Sequence, residues 1–491
     1  MECPFTNDFP RADIHELLSP DLLHQLIKGT FKDHLVDWIG EFLSLRHGPV
    51  HSQVVMTEID RRIAAAPPFT GLRRFPEGRG FKQWTGDDSK ALMKVYLPAV
   101  DGLVPSEIVR TMRAFLEFCY IARRDVHTPE SLDQLEEAVE RFHDYREVFQ
   151  EEGVRVEGFS LPRQHSIKHY YDAIWDFGAP NGLCSSITES KHIKAVKEPW
   201  RRSNRFQALG QMLTTNQRLD KLAASRVDFI NRGMIEQPSK PKQACLPSTD
   251  DDGAIDDPRS PGYVKLSSRF KRQHHFNSAA LTSHPDRPTF NRLLREFLRN
   301  QVNALNPSMF LTELPVFDEP IFIHYSAAAT FYAPSDPSGI RGMRREHIRA
   351  NPSWRGGAPR FDCVYVKPEV CHEDSPHPQF DVARVFMLFS FKFHGQQYEC
   401  ALVHWFKWTD YHPDEDTGMW IVDRGHAGDA SRPVLSIIPI QRILRAAHLI
   451  PMFGQTNVPP DISATDSLDR FRLFYVNKYV DHHAFEILHS P

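Results

Sequence analysis

The chain has 491 residues, a length at which roughly three domains are expected, and its apolar content suffices for a large core. Its net charge of -4 excludes an overall basic field, so any nucleic-acid site must be a local patch. Seven cysteines without a Cys-x-x-Cys pair argue against a disulfide framework and a zinc ribbon, and favour a reducing compartment. No apolar run approaches the roughly 18 residues of a membrane span, and the first residues lack the apolar region of a signal peptide.

The first half of the chain is predicted to be helical. Apolar residues recur at helical spacing in TFKDHLVDWIGEFLSL, PSEIVRTMRAFLEFCYIARR and TPESLDQLEEAVERFHDYREVFQEEG. Ser106 is placed to cap the second segment. Thr128 is placed to cap the third, with Pro129 at its first helical position and Gly153 at its end. We therefore predict an array of helices over residues 31–160.

The composition changes after residue 235. Residues 236–262 are rich in Pro, Ser and acids and are predicted to be a disordered linker. Residues 263–354 form a mixed connecting region with one helix, RPTFNRLLREFLRNQVNAL. Strand-like runs follow, two of them joined by a predicted hairpin turn at His394-Gly395. Residues 355–491 are thus predicted to be a small β-rich C-terminal accessory domain, closed by a helix in SLDRFRLFYVNKYVDHHAFEIL.

An acid and a histidine lie three residues apart at the start of SPDLLHQLIKG, as Asp21 and His24. Ser19 suits the N-cap of a helix and Pro20 its first position, while Asp21 meets the positive end of the helix dipole. Gly29 is placed to end this helix. That interpretation leaves only His24 unexplained. Because residues at i and i+3 share a helix face, the pair can equally be part of a metal site.

A second such pair, Glu189 and His192, precedes a basic stretch. Ser186 and Glu189 also match a capping box, which needs no metal. Residues 191–232 carry ten Lys and Arg against three acids. A charge run is usually a solvated face, but this one-sided excess also suits a DNA phosphate backbone. The candidate DNA-binding residues, here called the basic strip, are Lys191, Lys194, Lys197, Arg201, Arg202 and Arg205.

Five phrases of the chain resemble the Plavaka transposases, CACTA-type transposable-element proteins of mushroom-forming (basidiomycete) fungi. They are SPDLLHQLIKGTFKDHLVDWI, GFKQWTGDDSKALMKVYLPAV, APNGLCSSITESKHIKAVKEPWRRSNR, LTTNQRLDKLAASRVDFINRG and FYVNKYVDHHAFEI. The resemblance implies an α+β multidomain protein with a ribonuclease-H-like core that holds an Asp-Asp-Glu triad. Residues 1–30 and 161–235 would belong to this catalytic core, and residues 31–160 would be a large helical insertion.

The resemblance also implies residue roles. Asp21, in an Asp-x-x-His pattern, would be the second acid and Glu189 the third, both ligands of Mg²⁺ or Mn²⁺ in two-metal phosphodiester chemistry. His24 and His192 would support these ligands. Trp84 would stack on a flipped DNA base, with packing at a helix–loop junction as the alternative.

The sequence departs from the family at the first acid of the triad. Only twenty residues precede Asp21, and Asp8 and Asp13 lie in no apolar strand. The core is therefore predicted to be incomplete, without strand-transfer activity, and to expose apolar surface around residues 17–31 and 160–195. Two alternatives stay open: an active metal-dependent transposase with an upstream segment, and a host-recruited, non-enzymatic DNA- or chromatin-binding protein. In each case the expected partner is DNA, the expected compartment is the nucleus, no membrane is involved, and homo-oligomers are an open alternative.

Overall fold

The computed structural model divides the chain into two compact units. The first unit comprises residues 1–30 and 161–250, and the second comprises residues 31–160 and 251–491. The residues that the structure describes are 19–81, 84–185, 191–234, 252–256, 258–268, 270, 272–275, 287–305, 312–369, 377–425 and 434–489.

Helices dominate both units before residue 235. In chain order they are α1 (Asp37–Ala65), α2 (Gly86–Val100), α3 (Ser106–Ala122), α4 (Pro129–Tyr145), α5 (Val148–Glu151), α6 (Pro162–His165), α7 (Tyr170–Phe177), α8 (Glu198–Arg202), α9 (Ala208–Asn231), α10 (Arg287–Leu305), α11 (Ser467–Arg470) and α12 (His482–Leu488). Two π-helical segments, Leu22–Val36 and Ile193–Lys197, lead directly into α1 and α8. The 3₁₀ turns are Ser166–His169, Pro180–Gly182, Trp354–Gly356, Ile440–Arg442 and Lys478–Val480.

The described strands all lie in the second unit. They are β1 (Gly253–Ala254), β2 (Tyr263–Leu266), β3 (Arg272–His275), β4 (Pro320–His324), β5 (Ser326–Tyr332), β6 (Met343–Asn351), β7 (Arg360–Phe361), β8 (Cys363–Val366), β9 (Asp381–Phe393), β10 (Gln396–Trp405), β11 (Lys407–Trp408), β12 (Trp420–Asp423), β13 (Leu435–Pro439), β14 (Ile443–Ala447), β15 (Leu449–Pro451) and β16 (Leu473–Val476). They form antiparallel sheets with the orders β1-β6-β5-β2, β13-β10-β9-β4-β3 and β11-β12-β16-β15. In addition, β7 pairs with β6, and β8 pairs with β9 and β14.

Several local predictions are confirmed. Thr128 caps α4, whose first residue is Pro129, and α10 covers the predicted segment. The hairpin between β9 and β10 turns at His394 and Gly395, with φ angles of 51° and 79°. Two consecutive positive φ angles are typical of a tight type I′ turn, which glycine adopts without steric cost.

Two predicted helix signals are wrong. Ser106 does not cap α3, because its hydroxyl donates instead to Asp416 Oδ2 at 2.6 Å. Gly29 does not end a helix, since the π-helical segment runs through it. A side chain at position 29 would overlap the side chain of Arg163. Glycine there makes room for a packed arginine rather than for a left-handed helix end.

The sheets begin earlier in the chain than predicted. The predicted linker 236–262 lies mostly outside the described residues, but β1 falls within it and pairs with β6. Asp252 anchors this segment by accepting from the backbone nitrogen of His347 at 2.6 Å. The predicted boundary between residues 354 and 355 also fails, because β4 pairs with β9 across it. This part of the sheet lacked a clear strand pattern in the sequence, because β5 is rich in alanine and β6 carries charged residues along its length.

The predicted closing helix is also wrong. The tail comprises α11, strand β16, the turn Lys478–Val480 and α12. Phe474, Tyr475 and Val476 are consecutive and all buried, which suits a strand covered on both faces. The tail therefore completes a sheet before it reaches its last helix.

The predicted apolar exposure is confirmed in only one of its two places. Leu22, Leu23, Leu26 and Ile27 are buried, so the expectation for residues 17–31 is wrong where the structure describes them. In the second place, Trp175 is 63% exposed. Apolar exposure extends beyond the predicted range into α9. Its exposed side chains there are Leu209, Leu213, Leu219, Leu222, Val227 and Phe229.

Buried charges join the helices of the second unit to its tail. Lys478 donates to Glu117 Oε1 of α3 at 2.9 Å, and both side chains are at most 3% exposed. Burial alone would raise the pKa of Glu117, but the charges of Lys478 and Arg113 lower it well below its ordinary value. Arg141 of α4 donates to the other Glu117 oxygen at 3.1 Å. One ionised carboxylate thus ties two helices to the tail.

A second buried cluster surrounds Arg445 of β14. Its guanidinium donates to Glu346 of β6 and to Asp481 before α12. All three side chains are at most 3% exposed. A bidentate guanidinium–carboxylate geometry fixes direction as well as distance, so this cluster sets how α12 meets the sheets.

His448 links a loop to the tail in its neutral form. Its Nε2–H donates to the carbonyl of Pro67 at 2.9 Å, and its Nδ1 accepts from Asn477 Nδ2 at 3.0 Å. Burial lowers the pKa of His448 from 6.5 to about 4, since a proton on Nδ1 would face the amide group without solvent. The two hydrogen bonds therefore depend on an uncharged ring.

We expect Glu117→Gln to lower the free energy of unfolding by about 3 kcal/mol, because it leaves the Lys478 ammonium buried without a full counter-charge. Urea unfolding measures this loss. Glu137→Gln is the matched control, since Glu137 contacts the same Arg141 but is 65% exposed. The control should cost less than about 0.5 kcal/mol. Equal losses in the two variants would contradict a special role for the buried carboxylate.

We expect stability to fall as the pH drops from 6.5 towards 4, because the unfolded chain protonates His448 in this window and the folded chain does not. The full contribution is about 3 kcal/mol. His448→Gln keeps a donor for Pro67 but cannot titrate. The slope of its unfolding free energy against pH should therefore correspond to about one fewer proton taken up on unfolding than in the wild type. His47→Gln, at an exposed position, controls for the exchange of histidine for glutamine itself. Parallel curves for wild type and His448→Gln would contradict the assignment.

Candidate functional site

Asp21 directly precedes the π-helical segment Leu22–Val36, and its side chain contacts a part of the first unit that is distant in sequence. Its carboxylate accepts from the backbone nitrogen of His24 at 2.9 Å, as a helix-capping acid does. It also accepts from the backbone nitrogen of Ser185 at 3.0 Å and from the Ser185 hydroxyl at 2.8 Å. We call Asp21, His24, Cys184 and Ser185 the Asp21 cluster. The cluster holds together two segments that lie 164 residues apart.

The Asp21 carboxylate is firmly ionised. Burial by itself raises its pKa, but the hydrogen bonds from His24 and Ser185 outweigh burial and lower the pKa from 3.8 to about 2. Its side chain is 22% exposed. The negative charge is thus held mainly by backbone and hydroxyl donors, with His24 beside it.

The cluster combines acid, histidine and serine but lacks the geometry of a nucleophilic triad. His24 Nδ1 lies 2.7 Å from Asp21 Oδ2 and 3.0 Å from Ser185 Oγ. In a triad the acid and the serine contact opposite ring nitrogens, so that the ring can pass a proton between them. Here both face the same nitrogen. The arrangement can orient His24 and hold charge, but it does not form a proton relay to Ser185.

The described part of the cluster does not fit a Mg²⁺ or Mn²⁺ site. These ions prefer several oxygen ligands, commonly six for Mg²⁺. Around Asp21 the described side chains offer one carboxylate, a hydroxyl, an imidazole and the Cys184 thiol, whose sulfur lies 3.7 Å from Asp21 Oδ1. Among described residues no group of three or more His, Cys, Asp and Glu side chains is placed to hold a metal ion. Glu189, the predicted third acid, lies outside the described residues, and the described His192 is exposed.

All six side chains of the basic strip are exposed. Lys194, Lys197 and Arg201 follow one another at helical spacing through the π-helical segment and α8. Within the described part of the chain, none of the six side chains forms an ion pair or a hydrogen bond. Their charges are therefore available to a solvent-borne partner.

A turn after the strip folds the chain back along α9. Asn204 and Gln211 form two hydrogen bonds. The Asn204 backbone nitrogen donates to Gln211 Oε1 at 3.1 Å, and Gln211 Nε2 donates to Asn204 Oδ1 at 2.6 Å. Asn216 Nδ2 then donates to the carbonyl of Ala195 at 2.7 Å. These contacts make a helical hairpin that presents the strip on its first arm. Arg205, in the turn, has a φ of 64°.

Trp84 lies in the second unit and packs locally. Its ring stacks on Phe81 with centroids 4.8 Å apart, just before α2. Thr85 and Asp88 form a capping box at the start of α2. The contacts match the simpler prediction, a tryptophan at a helix–loop junction. A role in base stacking stays a prediction.

Sequence reasoning missed Ser185 and Cys184, which complete the Asp21 cluster. Their separation from Asp21 exceeds any local spacing rule, so no pattern within one helix could reveal them. The only sequence signal is their position just before the predicted capping box at Ser186.

Residues 1–39 match the family model described as Plavaka transposase, and this range includes Asp21 and His24. No curated protein and no solved structure matches the chain. None of the helices within the described ranges has the length and apolar character needed to cross a bilayer.

We expect Asp21→Ala to loosen two separate segments, because Asp21 accepts backbone hydrogen bonds from both His24 and Ser185. Hydrogen exchange read by mass spectrometry should rise in peptides that contain His24 and in peptides that contain Ser185. Asp33→Ala, which removes an acid paired with Lys32 at 3.0 Å, serves as control and should not affect the Ser185 peptide. Unchanged exchange at Ser185 in Asp21→Ala would show that the long-range contact does not form.

Proposed function

We propose that this protein is a transposon-derived, DNA-binding protein related to cut-and-paste transposases. The family match over residues 1–39 supports the origin. The observation that carries the binding function is the basic strip: six exposed cations, none paired within the described residues. The nucleus is the compartment in which such a protein would meet its partner.

The state of other arginines in the chain strengthens this proposal. Arg110 bonds to Asp416 at 2.7 Å and Arg384 to Asp469 at 2.6 Å, so both are neutralised by carboxylates. The strip instead leaves its charges in solvent, where a row of phosphates can replace small ions and release them. Contacts of this kind give affinity without reading sequence. We therefore propose non-specific, salt-sensitive binding to DNA.

Strand transfer is not part of this proposal. The described side chains around Asp21 offer few of the oxygen ligands that Mg²⁺ and Mn²⁺ prefer. We propose that the Mg²⁺ or Mn²⁺ requirement belongs to the ancestral enzyme.

We expect the fourfold variant Lys194→Glu, Lys197→Glu, Arg201→Glu and Arg202→Glu to bind duplex DNA at least about tenfold more weakly at roughly 0.1 M salt. The slope of log affinity against log salt should shrink by about 0.9 for each phosphate that the variant no longer neutralises. Fluorescence anisotropy with a labelled duplex measures both quantities.

A matched variant carries the same change of charge on the second unit. It replaces exposed cations outside the strip, namely Arg74, Lys367, Lys392 and Lys407, by Glu. This control should retain most of its affinity. If the two variants lose affinity equally, net charge rather than the strip controls binding, and the proposal fails.

The same preparation distinguishes the remaining alternatives. Nicking of DNA in the presence of Mn²⁺, abolished by Asp21→Ala and by Glu189→Ala, would support an active transposase. DNA binding without nicking would support a transposase-derived or host-recruited binding protein. If the protein neither binds nor nicks DNA, the proposed function is overturned.

A further inference from the structure

A pair of histidines lies on the outer face of the first unit, away from the Asp21 cluster in sequence. His165 ends α6, and His169 ends the 3₁₀ turn that follows. Their Nε2 atoms lie 3.2 Å apart, with the ring planes at 77°. Both side chains are exposed. Two ring nitrogens therefore converge on one point that solvent can reach.

The backbone beneath the pair is well fixed. On the opposite side of the same helical run Gln164, Ile167 and Tyr170 are buried, at 1% exposure or less. The Ser166 hydroxyl donates to the carbonyl of Arg163 at 2.7 Å and holds the turn between the two rings. The separation of the rings is thus set by packing and does not depend on the rings alone.

The separation suits a chelated metal ion. Two metal–nitrogen bonds of about 2.1 Å span 3.2 Å when the angle at the metal is about 100°, close to the tetrahedral value. Imidazole nitrogen suits Zn²⁺, Cu²⁺ and Ni²⁺ and is a poor ligand for Mg²⁺. Asp172 lies three residues beyond His169 and is exposed, so it adds negative charge on that side of the helix.

We propose that His165 and His169 form a two-histidine site for a borderline transition-metal ion, with Zn²⁺, Cu²⁺ or Ni²⁺ as the class of ligand. Among the described residues the site has only these two protein ligands, so water or a further molecule fills the remaining positions. None of its residues belongs to the basic strip, and its imidazole ligands differ from the oxygen ligands that Mg²⁺ and Mn²⁺ prefer.

A simpler explanation of the geometry is a single N–H···N hydrogen bond between the rings. At 3.2 Å such a bond lies at the long end of the usual range. It would hold one ring's proton between the two nitrogens, and a metal ion would displace that proton. If the pair is a metal site, a metal ion should bind there before it binds at other exposed histidines. If the pair forms only a hydrogen bond, no such preference is expected.

The test exposes the full chain to Cu²⁺, ascorbate and dissolved oxygen, and peptide mass spectrometry follows. Ascorbate reduces the copper, and oxygen reduced at the bound metal oxidises the histidines that hold it. We expect His165 and His169 to be oxidised first. The internal control is the pair His47 and His51, which is also exposed and has the same spacing, with ring centroids 5.2 Å apart. Its helix is broken between the rings at Gly48, where φ is 76°.

Calorimetric titration with Zn²⁺ provides the second readout. His165→Gln should weaken the site about 100-fold, because a single imidazole loses the advantage of chelation, and the number of tight sites should fall by one. The paired variant His47→Gln with His51→Gln should leave that site intact. Equal oxidation of the two pairs, or unchanged Zn²⁺ binding in His165→Gln, would overturn the proposal.

Discussion

The second unit depends on charged side chains buried between its helices and its sheets. Glu117 receives Lys478 on one oxygen and Arg141 on the other, while Arg445 connects Glu346 to Asp481. Apolar packing would tolerate small shifts of these elements, whereas a desolvated ion pair is stable only at its correct distance and angle. The same charges that cost desolvation energy therefore favour one relative placement of the elements that they join. The Glu117 pairs link the helices of residues 31–160 to the tail, and the Arg445 pairs link the tail to the sheets.

Local signals in the sequence predicted part of the local structure, although Ser106 does not cap α3 and Gly29 does not end a helix. Thr128 with Pro129 marked the start of α4, and the short turn at His394 and Gly395 marked a hairpin, because each signal acts over only a few residues. Long-range structure was harder to predict. The β1 strand is two residues long, and its place is fixed by pairing with β6 rather than by its own pattern. Ser185 joins the candidate site through a contact that spans 164 residues.

The two units differ in how they use polar side chains. In the second unit the buried cations Lys478 and Arg445 are matched by carboxylates, and the buried His448 is held neutral. In the first unit the basic strip is exposed and α9 shows apolar side chains to solvent. The second unit thus satisfies its buried charges internally, whereas the first unit presents a surface that suits a partner. A ribonuclease-H-like origin of the first unit stays a proposal, since no solved structure matches the chain.

The position of Lys478 has a consequence for how the protein is made. Glu117 and Lys478 are separated by 361 residues, so α3 leaves the ribosome long before this third counter-ion joins Arg113 and Arg141. At typical synthesis rates the interval is roughly 20 to 70 seconds. During this time Glu117 has only the partly exposed Arg113 and Arg141 as counter-ions, and the apolar surface that the tail covers stays accessible to other molecules. The nascent chain is thus expected to need protection by chaperones until Lys478 emerges, and a ribosome that stops before it would release helices that lack this part of their packing.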